Sequence, residues 1–227
     1  MQRRKFTSAI VTVGGLWALS ARAGDITESD AALGIRAALE RGAVAAVGLL
    51  GRDGGFLNNA KVRIELPGYL HEAAKILKYT GQQRRVDELV TAMNRAAEAA
   101  VPAAKTMLVN AVKSMSVEDG KQILTGGDNS ATQFFSNKTR APLSVQFLPI
   151  VTKATEKVSL ADKYNKVAGQ VASLGLVSKD EANIQSYITG KALDGLYLII
   201  GEEERKIRQD PIGTGSAILK KVFGSLR

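Results

Sequence analysis

The side chains of this chain that could do chemistry are carboxylates and arginines, because the sequence contains no cysteine and a single histidine. Among the carboxylates, Glu203 has the most unusual position. At 100° per residue it falls in the middle of a broad apolar face of a predicted helix, formed by Ile188, Ala192, Leu193, Leu196, Ile199, Ile200 and Ile207. Burying a charge is costly unless it is paired. We therefore predict that Glu203 is buried and paired with an arginine of another helix, Arg95 or Arg140, or that it serves a function.

A second carboxylate on the same predicted helix, Asp194, raises the question of paired acid chemistry. Two carboxylates are the usual machinery of glycoside hydrolysis. Asp194 and Glu203 are nine residues apart, which places them about 180° apart on one helix, so both cannot face one sugar. Lys191, three residues before Asp194, can neutralise it. A pair assembled between helices, such as Glu203 with Glu98, keeps a carboxylate-based hydrolase of the cell envelope open as an alternative.

Two further groups of charged side chains could form binding surfaces. Arg95 and Glu98, together with Asn94, lie on the polar side of an amphipathic helix, where Arg95 and Glu98 form an i,i+3 pair. This side is either a solvated face or a binding surface. Arg208 pairs with Glu204 at i,i+4. The candidate binding residues are therefore Arg95, Glu98, Asp194, Glu203 and Arg208.

The sequence predicts no metal site, no cofactor and no catalytic residue. His71 is the only histidine, which excludes sites built on paired histidines and makes any Ser-His triad depend on this one residue. Its place near the start of an amphipathic helix favours a solvated or capping role. Residues 126–129, GGDN, lack the alternating oxygen ligands of a calcium loop, which favours a turn followed by a helix cap.

The first 23 residues have the three parts of an export signal, which are a basic start, an apolar run and a small-x-small cleavage site. Arg3, Arg4 and Phe6 resemble a twin-arginine signal, although an ordinary Sec signal fits equally well. The mature protein should then begin at Gly24, outside the cytoplasm. Cleavage removes four basic residues and no acid, so the net charge of +9 falls to about +5. The remaining basic residues are dispersed, which argues against nucleic-acid binding.

Hydrophobic periodicity predicts an all-α single domain over residues 24–227. It is a bundle of about eight helices around a buried C-terminal helix. The predicted helices span residues 27–50, 67–79, 83–115 with a kink or break at Pro102, 116–125, 129–135, 142–158 with a bend near Pro149, 159–174, 178–210 and 216–223. A capping box at Ser178 opens the central helix and Pro211 closes it. Val62 to Leu66 alternate like a strand without an obvious partner, which indicates an extended arm or a minor two-stranded element. The mature chain contains no predicted transmembrane segment.

Seven short segments, in order along the chain, resemble an uncharacterised bacterial family known as domain of unknown function 4197. They are FLNNAKVRIELP, MNRAAEAA, ILTGGDNSATQFF, FLPIV, ALDGL, GEEERKIRQDP and LKKVFG. The resemblance extends from about Gly34 to Gly224. It implies an exported helical protein and transfers no catalytic residue.

Two classes of function remain. The first is a non-enzymatic binding or interaction module in the periplasm, whose partner is a protein or an apolar small molecule in the cell envelope. Phe134, Phe135, Phe147, Leu148 and the residues around Leu196 could line a site for such a molecule between helices, or they could simply form the packed core. The second class is the carboxylate-based hydrolase.

Overall fold

The computed structural model describes residues 28–68, 83–156 and 183–210, with single positions 79, 81, 162, 164 and 165 between them. In these ranges every regular element is helical, which confirms the all-α class. The elements are α1 (Glu28–Leu50), α2 (Gln83–Ala100), a 3-10 turn (Val101–Ala103), α3 (Ala104–Lys113), α4 (Val117–Thr125), α5 (Ser130–Thr155) and α6 (Ile184–Gln209). No described helix has an apolar stretch long enough to cross a membrane.

The structure confirms several helix boundaries that local sequence signals predict. The first helix ends at Leu50, where the glycine-rich turn begins. Pro102 lies in the 3-10 turn that separates α2 from α3, because proline cannot donate the backbone hydrogen bond that a continuous α-helix needs there. Ser116 and Asp119 form the predicted capping box of α4. Some predictions concern residues that fall wholly or mainly outside the described ranges. They are the three helices beginning at Pro67, Ser159 and Ser216, the role of His71, and the export signal.

The prediction of two helices between residues 129 and 158 is wrong. A single helix, α5, runs through both Pro142 and Pro149 without a break. Each interior proline removes one backbone hydrogen bond, at a cost of about 3 kcal/mol. Both prolines lie on the exposed side, where water can satisfy the carbonyl groups that they free. On the opposite side Leu143, Phe147 and Val151 are fully buried, and this packing keeps the helix continuous.

The start of the predicted central helix is also wrong. Helix α6 begins at Ile184 instead of near Ser178, because Asn183 is its N-cap and accepts a hydrogen bond from the Ser186 amide at 2.9 Å. Its end at Gln209, before Pro211, is as predicted. The run from Ala192 to Gly201 is buried on most sides, and α6 packs against α5 more extensively than any other pair of described helices does.

Residues 51–67, here called the arm, are extended or turn-like and cross the surface of the bundle. The arm contains no strand, so the alternative of a minor two-stranded element at residues 62–66 is wrong. Its apolar side chains Phe56, Val62 and Ile64 are buried, whereas Lys61, Arg63 and Glu65 are exposed. The arm therefore adds one layer of apolar side chains to the core formed by the helices.

Two glycines of α6 should respond to alanine substitution with opposite signs. A Cβ atom at Gly195 would lie 2.8 Å from Phe56 Cε1 and 3.2 Å from Val62 Cβ, so the arm would have to move. A Cβ atom at Gly190 would meet nothing within 4 Å. We expect Gly195→Ala to destabilise the fold by about 1 to 3 kcal/mol through overpacking. Gly190→Ala should stabilise it by about 0.5 to 1 kcal/mol, because alanine has the higher helix propensity.

Urea unfolding of the two variants and the wild type measures this difference. A Gly195→Ala protein as stable as the Gly190→Ala protein would contradict the close approach of the arm to α6.

Candidate functional site

Glu204 of α6 is buried beneath the first turn of α5. Its side chain is 5% exposed. One carboxylate oxygen accepts a hydrogen bond from the Ala131 amide at 3.0 Å, and the other accepts from the Thr132 amide at 2.9 Å and the Thr132 hydroxyl at 2.8 Å. The N-cap residue of α5, Asn129, makes no capping hydrogen bond with its side chain. Glu204 therefore caps α5 from another helix and places a negative charge at its positive end.

Arg208 extends this connection to the end of α4. It lies within 2.9 Å of Glu204 Oε1, as the predicted i,i+4 pair. Its Nη2 also donates to the carbonyl oxygen of Ile123 at 2.8 Å and to the hydroxyl of Ser130 at 2.7 Å. The two charged side chains thus hold α4, α5 and α6 together at one point. Both Ile123 and Ser130, to which Arg208 is bonded, line a cavity.

That cavity is a groove of about 530 Å³ between α4 and α5. It lies around the turn at Gly126 and Gly127, which follows α4, and it includes both Ile123 and Ser130. The turn predicted for residues 126–129 is therefore present, but the predicted cap is wrong: Asn129 occupies the N-cap position without a side-chain hydrogen bond, and Glu204 accepts from the first turn of α5 instead. The other lining residues are Asp119, Gln122, Asp128, Asn129, Gln133, Phe134, Asn137 and Lys138. Four of these carry carboxamide groups, so most of the groove is polar without being strongly charged.

The charged residues of the groove partly compensate one another. Hydrogen bonds from the backbone and the hydroxyl of Ser116 hold the pKa of Asp119 below its ordinary value, and Lys138 adds an attractive charge. Asp119 is therefore ionised throughout the neutral range. Among the described residues, no cluster of three acidic or histidine side chains could hold a metal ion.

Asn94 and Glu98 do not lie on a solvated face, which corrects one of the two readings offered by the sequence. Both are buried, at 0% and 5% exposure, and both bind the arm. Asn94 accepts from the Ile64 amide at 2.8 Å and donates to the Ile64 carbonyl at 2.9 Å. Glu98 accepts from the amides of Phe56 and Leu57, each at 3.0 Å. Sequence periodicity could not reveal this, because the bonded partners lie 30 to 42 residues away.

Arg95 completes the contact between α2 and the arm. Its guanidinium binds Glu98 Oε2 at 2.7 Å, as the i,i+3 spacing predicts, and it also contacts Asp53 in the arm. Arg95 thus pairs with one carboxylate of its own helix and with one of the arm. Arg95 and Glu98 therefore serve to attach the arm.

Asp194 lies on the surface between α5 and α6. Its main partner is Arg140, at 2.5 Å, and the predicted partner Lys191 is farther away, at 3.9 Å. Arg140 also lies over the ring of Tyr197, 5.8 Å from its centroid. Burial raises the pKa of Tyr197, whose hydroxyl is hydrogen-bonded to Thr139 at 2.8 Å. This group connects two helices and does not border the groove between α4 and α5.

The predicted burial and pairing of Glu203 are wrong. Its side chain is 21% exposed and it binds Lys206 of its own helix at 2.6 Å, so neither Arg95 nor Arg140 is its partner. Its stem lies beside Gly42 of α1, where a side chain can still reach water. The buried carboxylate of α6 is the neighbouring Glu204, which faces α5 instead. The structure therefore does not gather the five candidates into one site.

The residues proposed to line an apolar site lie in different parts of the structure. Phe135, Phe147 and Leu196 are fully buried in the core. Phe134 borders the polar groove and contacts Phe135 edge-on, with ring centroids 5.8 Å apart. Leu148 is exposed on the outer side of α5. For the three buried residues the packed-core reading is the correct one.

Comparisons with known proteins add one finding. The model of a family described as protein of unknown function (DUF4197) matches residues 25–224. No curated protein and no solved structure matches the chain.

Proposed function

The chain belongs to the DUF4197 family, and we propose that it acts as a non-enzymatic binding or interaction module in the periplasm, with the groove between α4 and α5 as its ligand site. The family description names no activity, so the proposal rests on the chain's own residues. Residues 1–23 support export, by either the Sec or the twin-arginine route. For the whole mature chain we propose a bundle of about eight helices around its buried C-terminal helix.

The observation that carries the proposal is the set of carboxamides in the groove. Asn129, Gln133 and Asn137 line the groove and are exposed to solvent, and each carboxamide can both donate and accept a hydrogen bond. They are hydrated in the free protein, and a polar ligand can replace that water with matching groups. The lining therefore favours a polar ligand over the apolar one that the aromatic residues suggested.

The walls of the groove are well anchored, which is what a preformed binding site requires. Arg208 bonds both to the last turn of α4, through the Ile123 carbonyl, and to the first residue of α5, Ser130. Glu204 fixes the next two residues of α5. A ligand would then bind without first ordering the helices around it.

A carboxylate-based hydrolase is the less supported alternative. Both oxygens of Glu98 and both oxygens of Glu204 already accept hydrogen bonds or bind an arginine. Neither carboxylate is free to exchange a proton with a substrate. Asp194 and Glu203 belong to separate ion pairs on the surface.

Filling the groove tests the proposal. A Cβ atom at Gly127 would meet nothing within 4 Å, so Gly127→Trp should place a bulky ring at the groove without disturbing the fold. Gly48→Trp, at an equally open position on α1, is the matched control. The proteins are purified from the periplasm, where export predicts an intact mass beginning at Gly24, and are melted with a panel of short peptides and neutral oligosaccharides.

We expect at least one panel member to raise the melting temperature of the wild type and of Gly48→Trp but not of Gly127→Trp. Equal shifts in all three proteins, or no shift in the wild type, would contradict a ligand site in this groove.

A further inference from the structure

The outer side of α5 presents apolar side chains to solvent. Ala141, Val145 and Leu148 are exposed, Val145 by 75% and Leu148 by 39%. At 100° per residue these three positions and Thr152 fall within a sector of about 60° around the helix axis. Leu143, which is fully buried, lies on the opposite side of the helix. Helix α5 therefore has one apolar side in the core and a second one in water. We call the four residues of the second side the outer stripe.

The spacing of the outer stripe is that of a contact between two helices. Its members follow one another at intervals of four, three and four residues, as the core positions of paired helices do. The hydroxyl of Thr152 already donates to the Leu148 carbonyl at 2.8 Å, so burying it breaks no side-chain hydrogen bond. Pro142 and Pro149 lie beside the stripe, where the carbonyl groups that they free stay close to water.

Opposite charges at the two ends of the outer stripe indicate what covers it. Lys138 lies about one turn before the stripe and Glu156 about one turn after it, and both are exposed on the same side of the helix. A surface with a positive end, an apolar middle and a negative end is complementary to a copy of itself that runs in the opposite direction. In a parallel pair, like charges would meet at both ends.

We propose that two copies of this chain associate through the outer stripe, with their α5 helices antiparallel about a twofold axis. Val145 then packs against Leu148 of the partner subunit, and Lys138 lies beside Glu156 of the partner subunit. Each contact occurs twice because of the symmetry. This surface is separate from the ligand site proposed for the groove and does not depend on it, although Lys138 borders both.

The size of the contact predicts its strength. From residue 138 to residue 156 the helix rises about 27 Å. A single pair of helices of this length is a small interface, since stable dimers bury about 1,200 Å² or more in total. We therefore expect a weak dimer, with a dissociation constant of about 10 to 100 µM.

The test measures self-association of the full mature protein by sedimentation velocity at increasing concentration. Val145→Asp places a charge in the middle of the outer stripe, at a position exposed enough for the fold to remain intact. Gln146→Asp adds the same charge at an exposed position about 100° farther around α5 and is the matched control. Lys138→Glu and Glu156→Lys each turn both end contacts of the dimer from attraction into repulsion.

We expect Val145→Asp to be monomeric and Gln146→Asp to associate like the wild type. Lys138→Glu and Glu156→Lys, each alone, should associate at least about tenfold more weakly. An equimolar mixture of these two variants should recover the association, because both end contacts of the mixed dimer again join opposite charges. A mixture that associates no better than either variant alone, or a wild type that is still monomeric at about 1 mM, would overturn the antiparallel dimer.

Two further measurements identify a different occupant of the outer stripe. If the wild type is monomeric and Val145→Asp melts at a lower temperature in dilute solution, another segment of this chain covers the stripe. If the monomer binds vesicles of phosphatidylethanolamine and phosphatidylglycerol and Val145→Asp does not, the stripe faces a membrane surface. Either result would show that a second copy is the wrong occupant.

Discussion

Replacing Glu204 with Gln should lower the free energy of unfolding by about 3 to 5 kcal/mol, which is the usual effect of removing one partner of a buried ion pair. Arg208 would keep its charge at a largely buried position, and the N-terminus of α5 would lose the negative charge beside it. For a protein of this size the loss corresponds to a fall in melting temperature of about 6 to 20 °C. Calorimetry of the wild type and the variant measures it.

The adjacent residue provides the matched control. Glu203→Gln removes the same charge one position earlier, but its pair with Lys206 is partly exposed and should contribute about 0 to 1 kcal/mol. The two variants therefore separate the two carboxylates of α6. A Glu203→Gln protein that melts as low as Glu204→Gln would show that the wrong carboxylate has been assigned as the buried one.

Asn94→Leu should release the arm from α2. Leucine has a similar size but cannot bond to the backbone of Ile64, so one buried N–H and one buried C=O would lose their partners. Each unsatisfied buried group costs about 1 to 3 kcal/mol, which gives a loss of about 2 to 6 kcal/mol. Urea unfolding measures the loss. Hydrogen exchange at the Ile64 amide should accelerate before the helices themselves open.

Asn110→Leu is the control for that substitution, because Asn110 lies on an exposed part of α3. It should change stability by no more than about 0.5 kcal/mol. If Asn94→Leu protected the Ile64 amide as well as the wild type does, the hydrogen bonds between Asn94 and the arm would not be what holds it.

Local signals in the sequence predicted much of the fold. The apolar stripe of α2, which includes Val86, Leu89, Val90 and Met93, is buried as its helical spacing indicated. The capping box of α4 was readable from Ser116 and Asp119 because both partners lie within one turn. Pro142, by contrast, lies inside α5 and does not start a helix as predicted, because the effect of a proline depends on what its helix packs against.

The candidate site was harder to predict, because its geometry depends on residues distant in the chain. Helix α6 does carry a buried carboxylate, but it is Glu204 and not the predicted Glu203. Which of Glu203 and Glu204 is buried depends on what faces them, the edge of α1 near Gly42 or the first turn of α5. The groove is lined by residues of both α4 and α5, and hydrophobic periodicity does not specify which helices pack side by side.

The cap that Glu204 provides for α5 also constrains when the chain can fold during its synthesis. The amides of Ala131 and Thr132 are made more than 70 residues before the carboxylate that accepts their hydrogen bonds. Until α6 leaves the ribosome, the first turn of α5 lacks its cap and one wall of the groove lacks its anchor. We therefore expect a nascent chain that ends before Ile184 to exchange these two amides rapidly, and the groove to be among the last parts of the protein to form.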